Sequence, residues 1–318
     1  MSRVDSLEVL RCPACGGEVR DESSEFVCAS CSRTYPVIGG IPRFLDTLPD
    51  DVRQVQRVFD FEHRRFQDSW HTRFEPRLVD AFLAECQLPA DFFKGKTALD
   101  VGCGSGRWSY ALAELGADVT GCDLTSGGLE MAHQELGDRS DARFLQADIF
   151  ALPFKDQSFD FVMSWGVLHH TPDTRAAFGR VARLVKPGGT LFVMVYEAMN
   201  PVRLFFTEML RWYMRLLPDE RRYEFCRHLV IRNPYVAAAL GHLVMVSYHD
   251  PSHPEIDEET LQFGLFDAYS PRFNFTHSRS EVRRWFREEG FESPVVLDLP
   301  GSVRARGVAT TSLSAAAA

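Results

Sequence analysis

The chain has 318 residues, room for two domains or for one large domain with an accessory module. Its 45% hydrophobic and 25% charged residues are ordinary for a globular fold and exclude a long disordered chain or a disulfide miniprotein. Thirty-five basic against 44 acidic side chains leave a net charge of −9, which on average repels a phosphate backbone and speaks against general nucleic-acid binding. No run approaches the ~18 consecutive apolar residues of a membrane span. Residues 1–10 lack the basic flank and apolar stretch of a secretory leader. The expected setting is therefore the cytoplasm, where the eight cysteines read as reduced thiols and metal ligands rather than disulfides.

The first 31 residues hold Cys12, Cys15, Cys28 and Cys31 in the pattern C-x2-C-x12-C-x2-C. Each pair suits a tight turn aiming two thiolates at one point, and four soft ligands close a tetrahedral zinc site. With no open position, such a site is structural rather than catalytic. Cys86, Cys103, Cys122 and Cys226 are scattered and read as small buried apolar residues. Together with Tyr35-Pro36-Val37 and Gly40-Ile41-Pro42-Arg43-Phe44-Leu45, the pattern resembles the small zinc-binding activator that partners several tRNA and protein methyltransferases. We delimit this module as 1–45.

Region 46–94 is a helical linker or cap, with helical apolar spacing over 52–66 and 76–86. Its aromatics Phe59, Phe61, Phe66, Trp70 and Phe74, with His63 and His71, suit helix packing; the competing reading is a segment folded over a ligand.

Region 95–198 alternates strand and helix. Strands are expected at 97–101, 117–122, 142–146, 159–165 and 190–196, helices at 107–115, 129–136 and 176–184, and turns at 102–106 and 186–189. Repeated βα winding favours a parallel sheet covered on both faces. The winding is interrupted over 199–278. It resumes in 279–311 with a helix at 279–289 and strands at 291–299 and 304–310, joined as a hairpin at Pro300-Gly301-Ser302. The alanine-ended tail, 312–318, is expected to fray.

The turn Gly102-Cys103-Gly104-Ser105-Gly106 lies between a strand and a helix start, where glycines admit a ligand to the backbone and free N–H groups attract negative charge. Its GxGxG spacing departs from the GxGxxG of dinucleotide binders. Asp123 ends the second strand, where a carboxylate accepts both hydroxyls of an unphosphorylated adenosine ribose. Asp148 stands past the third strand, where an adenine amino group would arrive.

Leu99 to Gly106 is similar to motif I of the class I S-adenosylmethionine-dependent methyltransferases, and Asp123, Ala147-Asp148, Phe159-Asp160, Ser164 to Pro172 and Leu184 to Thr190 match that family's later motifs in order. The branch most like it holds the ubiquinone and menaquinone methyltransferases. The resemblance implies an α/β, Rossmann-like fold with a seven-stranded, mostly parallel sheet in the order 3-2-1-4-5-7-6. It also implies that Gly102, Gly104 and Gly106 approach the methionine part of S-adenosylmethionine, whose carboxylate lies near Arg107. Asp100 then anchors the loop or takes the ammonium, Asp123 with Leu124 meets the ribose, Asp148 and Ile149 hold the adenine, and Ser164 or Trp165 closes the site.

An oxygen or carbon acceptor needs a base. His170, Tyr269 and His277 are the candidates, with His249, Tyr269 and Arg272 expected around the acceptor. His169, His253 and the group Tyr248-His249-Asp250 lie in the same stretches. Residues 201–217 should form a helix with Arg203, Thr207, Arg211 and Arg215 on one face and a wide apolar remainder that must be buried. That burial would be a lid over the site, a homodimer contact, or peripheral docking on a membrane. The expected activity is methyl transfer to oxygen or carbon of a small molecule, a natural product or a glycan- or lipid-like intermediate. The alternative is a tRNA or rRNA methyltransferase that uses the zinc module for recognition; a third reading is a non-catalytic interaction module.

Overall fold

The computed structural model describes residues 8–65, 74–252, 257–299 and 301–311. Expectations attached to Phe66, Trp70, His71, His253, Pro300 and 312–318 lie outside the described residues.

Alternation of side chains along each strand builds the catalytic half. Strands β5 (Thr97–Val101), β6 (Asp118–Asp123), β7 (Ala142–Ala147), β8 (Phe159–Trp165) and β9 (Val185–Tyr196) run parallel, and the hairpin β12 (Phe291–Leu297) and β13 (Ser302–Ala309) adds antiparallel to β9. Leu99, Val101, Val162, Leu191 and Val193 face one layer, while Ala98, Phe161, Met163 and Phe192 face the other. Both faces are covered, so these strands read as nearly continuous apolar runs. The order β7-β6-β5-β8-β9-β13-β12 is the expected 3-2-1-4-5-7-6. Helices α3 (Arg107–Glu114), α4 (Ser126–Leu136), α5 (Thr174–Ala182) and α10 (Arg279–Glu288) provide the crossovers.

Two local readings are corrected. The Lys186-Pro187-Gly188-Gly189 turn lies inside β9, because Val185 already pairs with Phe159 and the register shifts before Phe161 takes Thr190. Helix α4 starts at Ser126 rather than at 129: Asp60 Oδ1 accepts the Gly127 N–H at 2.8 Å and holds the first turn.

The zinc module is not a separate body. Its strands β1 (Val19–Asp21), β2 (Glu25–Cys28), β3 (Thr34–Ile38) and β4 (Ile41–Phe44) continue the same sheet, with β4 parallel to β7 through Arg43–Gln146 and Phe44–Ala147. Leu10, Phe26, Tyr35 and Phe44 join the apolar cluster that contains Leu99 and Val162. After the module, α1 (Asp50–Arg65) lies over α4, with Gln56 Nε2 donating to Leu124 O at 2.8 Å, and α2 (Arg77–Cys86) packs on α3.

The interruption comprises α6 (Pro201–Met214), α7 (Asp219–Arg227), α8 (Pro234–Gly241) and α9 (Glu258–Tyr269), with two short strands, β10 (Val230–Ile231) and β11 (Ser247–Tyr248), pairing in parallel. The 201–217 helix is turned opposite to expectation. Thr207, Arg211 and Met214 are buried, and Phe205, Met209, Trp212 and Leu216 face outward. Arg211 sets this rotation, since its Nε donates to Ala268 O at 3.0 Å and its Nη1 to Asn274 O at 3.3 Å.

Candidate active site

A cavity of about 460 Å³ opens at the carboxyl ends of β5, β6, β7 and β8, roofed by α1 and α9. Open α/β sheets bind ligands at this edge. Gly102 has φ +79°, and a Cβ there would stand 2.2 Å from Val167 Cγ2, so only glycine fits between the loop and that side chain. Gly128 is held to glycine for another reason: a Cβ would meet the Gly104 carbonyl oxygen at 2.9 Å, where α4 packs on the loop.

Among the residues expected at the cofactor, Gly102, Gly104, Arg107, Asp123, Leu124, Asp148, Ile149 and Trp165 line this cavity, whereas Asp100, Gly106 and Ser164 stand behind it. Asp123 Oδ2 accepts the Gly104 N–H at 2.9 Å, and Oδ1 accepts the Thr125 N–H and hydroxyl, each at 2.7 Å. A carboxylate has about four acceptor positions, so one remains for a ribose hydroxyl. Asp148 Oδ1 accepts the Phe150 N–H at 3.0 Å, and burial raises this carboxyl. Its other oxygen suits an adenine amino donor. The Arg107 guanidinium lies 4.1 Å from the Trp108 ring centroid and 4.9 Å from that of Trp165; burial lowers its pKa to about 10, leaving it charged at neutral pH and suited to a carboxylate. Asp100 is an anchor: its Oδ2 accepts the Ser109 hydroxyl at 2.8 Å and ties β5 to α3, while burial lifts its carboxyl to about 7. Ser164 Oγ donates to Val101 O at 3.0 Å and joins two strands. These donors and acceptors fit S-adenosylmethionine.

The same cavity is lined by Val52, Val55, Phe59, Glu62 and His63 of α1 and by Leu261, Phe263 and Asp267 of α9. Glu62 is buried with an unpartnered carboxyl oxygen; burial, and then the nearby Asp267 charge, hold it protonated well above the ordinary carboxyl range. His170 Nδ1 lies 3.0 Å from Phe273 O, which sets Nδ1 as the donor and leaves the lone pair on Nε2, 3.5 Å from Asp267 Oδ1. The Tyr196 hydroxyl donates to the other Asp267 oxygen. His169 is fully buried, its ring 4.0 Å from that of Tyr196, and burial keeps it neutral.

The remaining acceptor candidates stand elsewhere. The hydroxyl of Tyr269, the buried last residue of α9, accepts from Met245 N at 2.9 Å and donates to Met245 O at 2.8 Å, so it staples the insertion. His277 pairs with Glu281 at 3.3 Å and packs edge-on to Trp285. Arg272 is exposed and reaches Gln54, and His249 follows β11 without lining the cavity. Conversely, Glu62, Asp267 and Tyr196 went unassigned in the sequence. Asp267 stands two residues before Tyr269 with no spacing signal of its own, whereas a glutamate at an otherwise valine-lined position of α1 is the available signal for Glu62.

The four cysteine sulfurs all lie within 4.8 Å of one another, with Cys12–Cys31 at 3.7 Å and Cys15–Cys28 at 3.5 Å. A tetrahedron of Zn–S bonds near 2.3 Å has edges of about 3.8 Å, so the set fits a structural zinc ion. Tyr35 Oη stands 3.1 Å from Cys12 Sγ as an outer hydrogen-bond partner.

Residues 99–193 match a family model described as a methyltransferase domain, and residues 4–40 one described as a Trm112p-like protein. Demethylmenaquinone methyltransferases of Staphylococcus aureus strains are 29% identical over 215 residues, spanning 67% of this chain and 74% of theirs. Among solved structures, a complex containing the Haloferax volcanii Trm112 methyltransferase activator is 21% identical with a TM-score of 0.44, covering 80% of this chain and 96% of that one. Phosphoethanolamine N-methyltransferase 2 of Haemonchus contortus is 16% identical with a TM-score of 0.47, covering 84% and 48%. The glycine loop with its two carboxylates and the matched families agree: the chain carries a methyltransferase domain fronted by a Trm112p-like zinc module, and it is an S-adenosylmethionine-dependent methyltransferase.

Proposed function

We propose that the enzyme methylates oxygen or carbon of an apolar, hydroxyl-bearing small molecule. One observation carries this reading: the cavity that takes the cofactor is also walled by Val52, Val55, Phe59, Leu261 and Phe263, with Glu62, His63, His170, Tyr196, Thr260 and Asp267 among its polar groups. Such a chamber suits a flat or lipid-like acceptor. The demethylmenaquinone methyltransferase relatives support the same acceptor class.

Bound S-adenosylmethionine supplies an activated methyl group. The chain then has to hold the acceptor in line with it, a positioning effect worth on the order of 7 kcal/mol or more. In this reading His170 Nε2 removes the acceptor hydroxyl proton as the nucleophile forms its new bond, and the proton rests on the imidazole beside Asp267. Tyr196 holds that carboxylate in place. Protonated Glu62 donates to a second acceptor oxygen and steadies developing negative charge. Helix α9 acts as the lid over the acceptor end, while α6 braces it from outside.

The alternative of tRNA or rRNA methylation would use the zinc module for recognition. Here the free edge of that module is already joined to β7 of its own chain. The test is radiolabelled methyl transfer to a panel of phenols, catechols and naphthoquinols, beside total RNA. Turnover should fall about 100-fold or more in Asp267→Asn, with S-adenosylhomocysteine affinity within about twofold of the parent. Methyl transfer to RNA alone, or an unimpaired Asp267→Asn enzyme, would refute it.

A further inference from the structure

Helix α6 breaks the ordinary rule of an outward polar face. Val202, Phe205, Phe206, Met209, Trp212 and Tyr213 recur at spacings of three and one, which puts all six on one side of the helix, and Leu216 continues the series just past its end. Every one is exposed, Phe205 at 60% and Trp212 at 65%. A contiguous exposed apolar stripe, unlike scattered single apolar residues, marks an interaction surface. The helix cannot roll to hide it, because Arg211 is fully buried and bonded to Ala268 O and Asn274 O.

Charge says what covers the stripe. Residues 199–249 hold seven arginines against four carboxylates, a net +3, which leaves −12 on the rest of the chain. At the carboxyl end of α6, Arg215 Nη2 donates to Arg272 O at 3.0 Å, and Arg272 in turn reaches Gln54 of α1. Burial, and after it the neighbouring Arg211 and Arg272, disfavour the Arg215 charge; burial likewise leads over Arg57 and Arg215 in disfavouring that of Arg222. A groove beside them, between α1 and the start of α7, is lined by Arg53, Arg57, Arg64 and Arg65 against Asp60 and Asp219, with Arg57 3.7 Å from Asp219 and Arg53 3.5 Å from Asp50, so arginine is in excess there. This excess of arginine beside the exposed Trp212 and Tyr213 forms an apolar wedge with an anion-seeking rim. A second copy docked symmetrically through this face would bring like charge to the rim; an anionic lipid surface would neutralise it.

We infer that α6 and its arginine rim form a docking surface for an anionic bilayer, with the apolar stripe entering the acyl boundary and the rim meeting headgroup phosphates. This goes beyond the acceptor reading and does not depend on it. It does give that reading a route, since α9, held by Arg211 of α6, also walls the cavity.

The test is co-sedimentation of the zinc-loaded full chain with vesicles of phosphatidylcholine alone or of equal phosphatidylcholine and phosphatidylglycerol. The chain should bind the anionic vesicles at least about tenfold more tightly, and raised salt should weaken that binding. Phe205→Ser with Trp212→Ser should lower binding about tenfold or more, and Arg57→Gln with Arg215→Gln should abolish the preference for phosphatidylglycerol. Unchanged affinity for S-adenosylhomocysteine certifies each variant as folded; should the first pair fail that control, the arginine pair decides. Absence of vesicle binding, binding indifferent to the variants, or a wild-type dimer that Phe205→Ser with Trp212→Ser dissociates would each overturn the inference.

Discussion

Gly102→Ala probes the cofactor loop most sharply. The backbone there is left-handed at φ +79°, and the new methyl would stand 2.2, 2.7 and 2.9 Å from three atoms of the stiff Val167 side chain. Left-handed strain contributes about 1–2 kcal/mol, and overpacking a further 1–3, roughly. The sum of roughly 2–5 kcal/mol corresponds to a fall of roughly 3–8 °C in melting temperature for a chain of this size. Displacement of the loop should also weaken S-adenosylhomocysteine binding about tenfold or more. Pairing it with Val167→Ala removes the two closest contacts but leaves Val167 Cβ at 2.9 Å and the left-handed strain, so the two substitutions should be non-additive by about 1–2 kcal/mol. Scanning fluorimetry and calorimetry on the four proteins of the cycle measure both quantities. Additive effects, or a Gly102→Ala protein that melts and binds like the parent, would refute the reasoning.

Three further outcomes are expected. Asp148→Asn keeps the acceptor for Phe150 N–H but loses the charge offered to an adenine amino group; S-adenosylhomocysteine affinity should drop about 5- to 20-fold in calorimetry with little change in melting. Asp100 titrates near 7 when folded and near 4 when unfolded, so between those values only the unfolded chain sheds the proton and stability falls as pH rises. Asp100→Asn should remove that slope, by on the order of a few kcal/mol across the window, in urea melts at stepped pH. Cys12→Ser, or zinc chelation, should lower the melting temperature of the whole protein by roughly 5 °C or more, because Leu10, Phe26 and Phe44 share the catalytic core; a stable, folded variant without turnover would contradict the structural role of the metal.

Local patterns carried the reading of the chain as far as they could. Alternating apolar strands, the glycine turn and paired cysteines are short-range signals, and each lies where its spacing placed it. Contacts formed across long sequence separations were not legible. Arg43 and Gln146 are far apart in sequence, so nothing near either foretold that the zinc module would extend the sheet at β7. The meeting of Glu62 with Asp267 likewise depends on α1 and α9 converging on one cavity. Tyr269 and His277 drew attention as polar groups beside the last helix, yet their hydrogen bonds and ion pair are spent within the insertion and on α10. Helix α6 misled for another reason. Both of its faces are largely apolar, so periodicity could not choose between them, and buried carbonyl partners for Arg211 decided the rotation.

The central claim is that the loop at 102–106, flanked by Asp123 and Asp148, receives S-adenosylmethionine. Titration calorimetry of S-adenosylhomocysteine into the zinc-loaded chain tests it most directly. One equivalent should bind per chain, with affinity reduced in Asp148→Asn and in Gly102→Ala. A folded chain that takes up none of it, yet binds a nicotinamide or flavin nucleotide, would contradict the account.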